Sequence, residues 1–150
     1  MLRKAPVYYT EILPLRNHMY NDPMTRFMGI DYGSKRVGVA LSDESHTVAM
    51  PKATFPNDRN LFGSIKALCA GHDVKAIVMG ESKDYKGNDN AIMKDITFFK
   101  GELERELHLP VHLEPEYMTS HEAARNQNDA MLLDASAAAL ILQSYLDKKK

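Results

Sequence analysis

From Phe27 onward the apolar residues keep switching between strand-like and helix-like spacing, and this alternation narrows the available folds more than any other feature. Residues 27–32 are a short apolar run ending in Asp31, Tyr32 and Gly33. A turn carrying Ser34, Lys35 and Arg36 leads into residues 37–42 (Val-Gly-Val-Ala-Leu-Ser), so the two runs read as a β-hairpin. A third strand is expected between Thr47 and Phe55, with Pro51 marking an edge position or a break. Leu61, Ile65 and Leu68 follow at spacings of four and three, which predicts a helix with one buried face. Asp58 or Asn60 can cap that helix and Gly71 can end it. Residues 76–79 (Ala-Ile-Val-Met) form a buried strand closed by Gly80, and the polar residues 81–90 are expected as a surface loop. The stripe Ile92, Ile96, Phe99, Leu103 and Leu107 predicts a long helix stopped by His108 and Pro110, and residues 111–113 a further strand. Thr119 with Glu122 three residues later has the capping-box pattern of a short helix. A last helix is expected over 134–148 with Ala138, Ile141, Leu142 and Tyr145 inward. Three strands followed by helix, strand, helix, strand, helix imply a mixed sheet with helices packed on its faces.

At 150 residues and 44% hydrophobic composition the chain has the size of one domain. Pro6, Pro14, Asn21, Asp22 and Pro23 interrupt every pattern near the start, so residues 1–25 read as an extension and 26–150 as the domain. Met24 and Met28 stand just before the first strand, which leaves open a docking arm or a start-site artefact for the extension. The single cysteine, Cys69, lies in an apolar run and is expected in the core; it excludes an internal disulfide and a cysteine-rich zinc site. No stretch approaches the roughly 20 apolar residues of a membrane helix, and no secretion signal is evident, so a soluble, cytoplasmic protein is expected. The net charge of -1 gives no global attraction to nucleic acid. Any phosphate binding must therefore come from a local basic cluster.

The acidic residues carry the functional signal. Asp31 closes the first strand, Glu81 follows the fourth, Glu116 follows the fifth and Asp134 opens the last helix. In an open α/β sheet such points converge outside the carboxyl ends of parallel strands. Converging carboxylates repel unless cations neutralise them, and their hard oxygens suit Mg²⁺ or Mn²⁺. Two such ions about 4 Å apart would activate water and stabilise the leaving oxygen of a phosphodiester. Spacing alone leaves the plainer alternative open, since Asp at a strand end or helix start is commonly a turn-former or an N-cap.

The segment Met28-Gly-Ile-Asp-Tyr-Gly-Ser-Lys-Arg-Val-Gly-Val-Ala-Leu-Ser-Asp43 closely resembles the opening motif of the YqgF (RuvX) family, bacterial Holliday junction resolvases also described as precursor 16S rRNA nucleases. Leu133-Asp-Ala-Ser-Ala-Ala-Ala-Leu-Ile-Leu-Gln-Ser-Tyr-Leu-Asp147 resembles that family's last helix, and residues 77–80 and 109–113 its inner strands. The resemblance spans Met28 to Asp147. It implies a ribonuclease H-like α/β fold, a mixed five-stranded sheet flanked by helices, with an acidic metal site at Asp31, Glu116 and Asp134. Gly33 would let a phosphate approach beside Asp31. Lys35 and Arg36, on the adjacent turn, would contact the strand being cut, or stand as solvated turn charges.

The chain departs from the family pattern at three places. Gly80-Glu-Ser82 stands where the family commonly has Gly-Leu-Pro, and Pro115-Glu-Tyr117 where it has Asp-Glu-Arg. Losing that Arg removes a guanidinium able to hold a phosphate. Glu81 adds a carboxylate near the place where related resolvases carry a second acid, and is a candidate fourth ligand or metal-orienting base. The stretch between Glu122 and Asp134, often strongly basic, here has Arg125 followed by Asn126, Gln127, Asn128 and Asp129, with Lys83, Lys86, Lys94 and the terminal lysines as partial compensation. The expected function is a metal-dependent endonuclease acting on precursor rRNA or branched DNA, as a monomer or a homodimer, since symmetric junction cutting needs two sites. A non-catalytic ribosome-assembly or nucleic-acid-binding factor is the alternative that Pro115 and Tyr117 favour. An actin-type ATPase is the less favoured alternative, because that architecture needs two such domains.

Overall fold

The structure, a computed structural model, describes residues 25–83, 91–117 and 130–149, with backbone alone at 83, 116, 117, 130 and 131. The extension up to residue 24, the helix expected at Thr119 with Glu122, and the cations Lys86 and Arg125 lie outside the described residues. The described elements are β1 (Arg26–Tyr32), β2 (Arg36–Ser42), β3 (Ala49–Pro56), α1 (Leu61–Gly71), β4 (Val74–Lys83), α2 (Met93–Leu107), β5 (Val111–Tyr117) and α3 (Ala130–Lys148). They form the mixed five-stranded sheet expected, in the order β3-β2-β1-β4-β5. β1 runs antiparallel to β2 and parallel to β4, and β4 is parallel to β5.

The pleat of each strand sorts its side chains onto two faces. Met28, Ile30, Val37, Val39, Ile77 and Met79 face α1 and α2, where Ile65, Ile96, Phe99 and Leu103 complete one core layer. Phe27, Ala40, Ala76 and Val78 face α3, where Ala138, Ile141, Leu142 and Leu146 complete the other. Cys69 is buried as expected, and burial pushes its thiol up to about 11 because the thiolate would lose its hydration.

The α3 face is built for close approach. A Cβ on Gly38 would overlap the carbonyl oxygen of Asp134, and one on Gly29 would lie 2.7 Å from both the Ala138 carbonyl oxygen and the Leu142 Cβ. Helix α3 therefore rests its backbone directly on β1 and β2. It is also tied sideways to β3, where Gln143 accepts a hydrogen bond from the Ala49 N–H and donates one to the Thr47 carbonyl, each at 2.8 Å.

Several boundaries differ from the sequence expectation. β4 continues through Lys83 where a loop from residue 81 was expected, because the parallel ladder to β5 extends past the apolar run through Glu81, Ser82 and Lys83, opposite Pro115, Glu116 and Tyr117. Backbone pairing does not require apolar side chains. α3 starts at Ala130, so Asp134 sits in the second turn and is not a helix-opening residue. Asn60 takes the position before α1 without a side-chain cap, while Asp58 accepts the Asn60 N–H at 2.9 Å. Pro51 lies on the edge strand at a register shift opposite Val39 and Ala40, as its missing N–H requires.

Two outcomes check this packing. Gly38→Ala should cost about 1–3 kcal/mol or more in urea denaturation, as overpacking against backbone does, whereas Gly63→Ala, at a helical site with open space around the added methyl, should gain up to about 1 kcal/mol. Cys69 should resist iodoacetamide at pH 8 in the native protein and react once the chain is unfolded in urea.

Candidate active site

Asp31, the penultimate residue of β1, is on the pleat phase of Phe27 and Gly29, so it faces α3. Its partner across the antiparallel ladder is Gly38. Directly opposed residues in such a ladder have Cα atoms about 4.5–5.5 Å apart. Because the Asp134 backbone sits on Gly38, the missing side chain at that position brings the second turn of α3 alongside Asp31. Both carboxylates are buried, with Asp31 8% and Asp134 5% exposed. The two acids separated by about a hundred residues in the chain thus share one face and one end of the sheet.

Arg36, the first residue of β2, shares the pleat phase of Gly38 and donates from Nε to Asp134 Oδ2 at 2.6 Å. Among the described residues this is the ion pair made by Asp134. Arg36 was expected to contact a nucleic-acid strand, yet its guanidinium is engaged by a carboxylate. The turn behind it is closed by the Gly33 N–H donating to the Arg36 carbonyl at 3.0 Å. It is braced from β3 by Asn57, which donates from its backbone N–H to the Lys35 carbonyl at 2.9 Å and from Nδ2 to the Gly33 carbonyl at 2.8 Å. Lys35 is exposed on that turn, where a cation can meet an approaching phosphate.

The remaining candidates divide by pleat. Gly80, one step past the paired Ile30 and Met79, holds the strand position beside Asp31. Glu81 therefore has the phase of Met79, a strand position on the α1 and α2 face and not on the α3 face that carries Asp31. Its adjacency to Gly80 in sequence gave no sign of this, because a single step along a strand reverses the side chain. Glu116 lies opposite Ser82 in the parallel ladder, in the pleat phase of Gly80 and Glu114, and its backbone is at the same sheet end as Asp31. Lys83 ends β4 opposite Tyr117.

Sequence reasoning missed a buried acid, Glu114. It is 3% exposed and faces α3, where it accepts hydrogen bonds from Ser144 Oγ and Lys148 Nζ, both at 2.7 Å. His112, two residues earlier on the same face, stacks on Tyr145 with ring centroids 5.2 Å apart. The detectable signal was the pairing of an alternating strand with a helix carrying Ser and Lys four residues apart. Asn57 was missed as well, since only tertiary contact reveals its brace.

Two buried carboxylates on one face are a donor set of hard oxygens, the chemistry that Mg²⁺ and Mn²⁺ require. Among the described residues no three His, Cys, Asp or Glu gather as a metal cage. Also among the described residues, no helix is long and apolar enough to cross a membrane.

The sequence profile of the RuvX family, described as Holliday junction resolvase, matches residues 25–148. The chain belongs to the RuvX family. A relative from Nitratidesulfovibrio vulgaris, which bears the provisional name pre-16S rRNA nuclease, is 35% identical over 133 residues, covering 81% of this chain and 93% of the relative. One from Syntrophus aciditrophicus with the same name is 36% identical over 132 residues, covering 81% and 88%. Among solved structures, T. thermophilus RuvC in complex with Holliday junction substrate superimposes with a TM-score of 0.53 over 83% of this chain and 95% of its own. At 13% identity that likeness speaks to the fold, which is the ribonuclease H-like architecture of RuvC-type resolvases.

The tie between β5 and α3 has a measurable consequence. Lys148→Met leaves the buried Glu114 carboxylate with Ser144 but without its cation, and should lower stability by about 1–2 kcal/mol, less than for a fully buried pair because Lys148 is largely exposed. Chemical denaturation of the two proteins at neutral pH checks it.

Proposed function

We propose that this RuvX family member is a metal-dependent endonuclease that hydrolyses phosphodiester bonds in structured nucleic acid, with precursor 16S rRNA as its substrate. The observation that carries the reading is the convergence of Asp31 and Asp134 on one face at one end of the sheet. Two anions buried on one face at one end of the sheet are costly to bring together, and hard cations are the partners that suit their oxygens. The choice of RNA rests on the names of relatives above 30% identity, which outweigh a fold likeness to a junction-bound protein at 13%.

In this reading Asp31 and Asp134 hold the cations, with Glu116 of β5 as the third carboxylate. These carboxylates would hold Mg²⁺ or Mn²⁺, which when bound would supply Lewis acidity for phosphodiester hydrolysis. Asp31 is held by its strand and Asp134 by the helix seated on Gly38, so neither needs to reorganise when the substrate arrives. Lys35 meets the backbone of the strand being cut, while Gly33 serves the turn that carries it, since a Cβ there would lie 2.7 Å from the Arg36 carbonyl oxygen. Glu81, with its strand position on the other face, has no part in this scheme. The protein acts in the cytoplasm, where its substrate is made.

Asp31→Asn removes one anionic ligand while keeping shape. It should lower cleavage of a precursor 16S rRNA fragment in Mg²⁺ by at least about 100-fold, the order lost when a metal site's chemistry is removed, with an unchanged circular dichroism spectrum. Full activity in the variant overturns the assignment. Wild-type binding of the RNA without cleavage in either Mg²⁺ or Mn²⁺ favours a non-catalytic factor, and cutting of a four-way DNA junction in preference to the RNA moves the substrate to DNA.

A further inference from the structure

Arg36 stands out among the basic residues at this end of the molecule because its charge is already committed. Its Nε lies 2.6 Å from Asp134 Oδ2, a short charge-assisted bond, while Asp134 has a side chain only 7% exposed and Arg36 keeps a third of its own surface in solvent. The backbone that carries it is fixed on both sides. The Gly33 N–H closes the hairpin onto the Arg36 carbonyl, and Asn57 pins the carbonyls of Gly33 and Lys35 from the end of β3. A guanidinium so placed is a planar donor with a set direction, which a flexible ammonium cannot copy.

We propose that Arg36 is a positioning residue for the cation site: it fixes the Asp134 carboxylate by occupying Oδ2, so that the other oxygen is presented toward Asp31. This rests on the reading of Asp31 and Asp134 as cation ligands. Groups that hold a ligating carboxylate from behind set its orientation, and their loss typically weakens metal affinity or activity by about 10–100-fold. Two other roles make opposite demands. A phosphate ligand would affect nucleic-acid affinity and leave the cation alone. A mere counter-charge would weaken cation binding by repulsion, so that removing it would tighten the site.

The test uses the full chain with Arg36→Lys and Arg36→Gln, Arg36→Lys being decisive because it keeps the charge and loses the fork. Two quantities are measured: Mn²⁺ binding by calorimetry without nucleic acid, and precursor rRNA binding by fluorescence anisotropy in chelator. Positioning predicts that Mn²⁺ affinity falls by about 10–100-fold in Arg36→Gln and clearly in Arg36→Lys, while RNA affinity in chelator stays within about twofold. Unchanged Mn²⁺ affinity in Arg36→Lys, tighter Mn²⁺ binding in Arg36→Gln, or a loss confined to RNA affinity overturns the inference while leaving the nuclease reading intact. Failure of the wild type to bind Mn²⁺ overturns the cation site itself and the inference with it. Should Arg36→Gln not fold, Arg36→Lys alone carries the same outcomes.

Discussion

Everything at the acidic end of this molecule depends on how closely α3 lies on the sheet. A helix normally packs on a sheet with a layer of side chains between them, but Gly29 and Gly38 remove that layer at two points and let the helix backbone rest on the strands. The spacing from Asp134 to Ala138 and Leu142 matches successive turns of one helix face, so the same face that makes the apolar core further down presents a carboxylate at the top. The placement of Asp134 is in this sense a by-product of packing: the helix cannot slide along the sheet without losing Ile141, Leu142 and Leu146 from their sites.

The helix is also held at both flanks. Gln143 reaches the start of β3, and Ser144 and Lys148 reach Glu114 on β5, so one element spans from one edge strand of the sheet to the other. β5 carries Glu116 two residues beyond Glu114, and the clasp fixes the strand relative to the helix that bears Asp134. A buried carboxylate is costly unless it is paired, and Glu114 Oε2 meets both the Ser144 hydroxyl and the Lys148 ammonium. The strand order and this helix together form a frame in which each acid is delivered by a different element.

Much of this was legible in the sequence. The alternation from Phe27 gave the element order, the apolar stripes of the helices gave their inner faces, and the resemblance of the two terminal motifs gave the family. What was not legible has common physical causes. Glu81 looked equivalent to a catalytic acid because it follows an apolar strand, yet the face of a strand residue is set by counting phase from a neighbour of known burial, and Gly80 takes the inward position. The start of α3 was misjudged because Ala130 to Leu133 offer no cap and no apolar period of their own. Glu114 and Asn57 act through partners 30 and more than 20 residues away, and no local pattern reports such contacts.

Asp31 and Asp134, remote in sequence, are proposed to form one cation site. Titrating ¹⁵N-labelled protein with substoichiometric Mn²⁺ and mapping the paramagnetic loss of amide signals tests it directly, because the effect falls steeply with distance from the ion. Loss centred jointly on the amides of Asp31, Gly38 and Asp134, with the end of β5 next, is the result this account predicts. Loss centred elsewhere, for example on the Asp43 turn, or reaching Asp31 without Asp134, would contradict it.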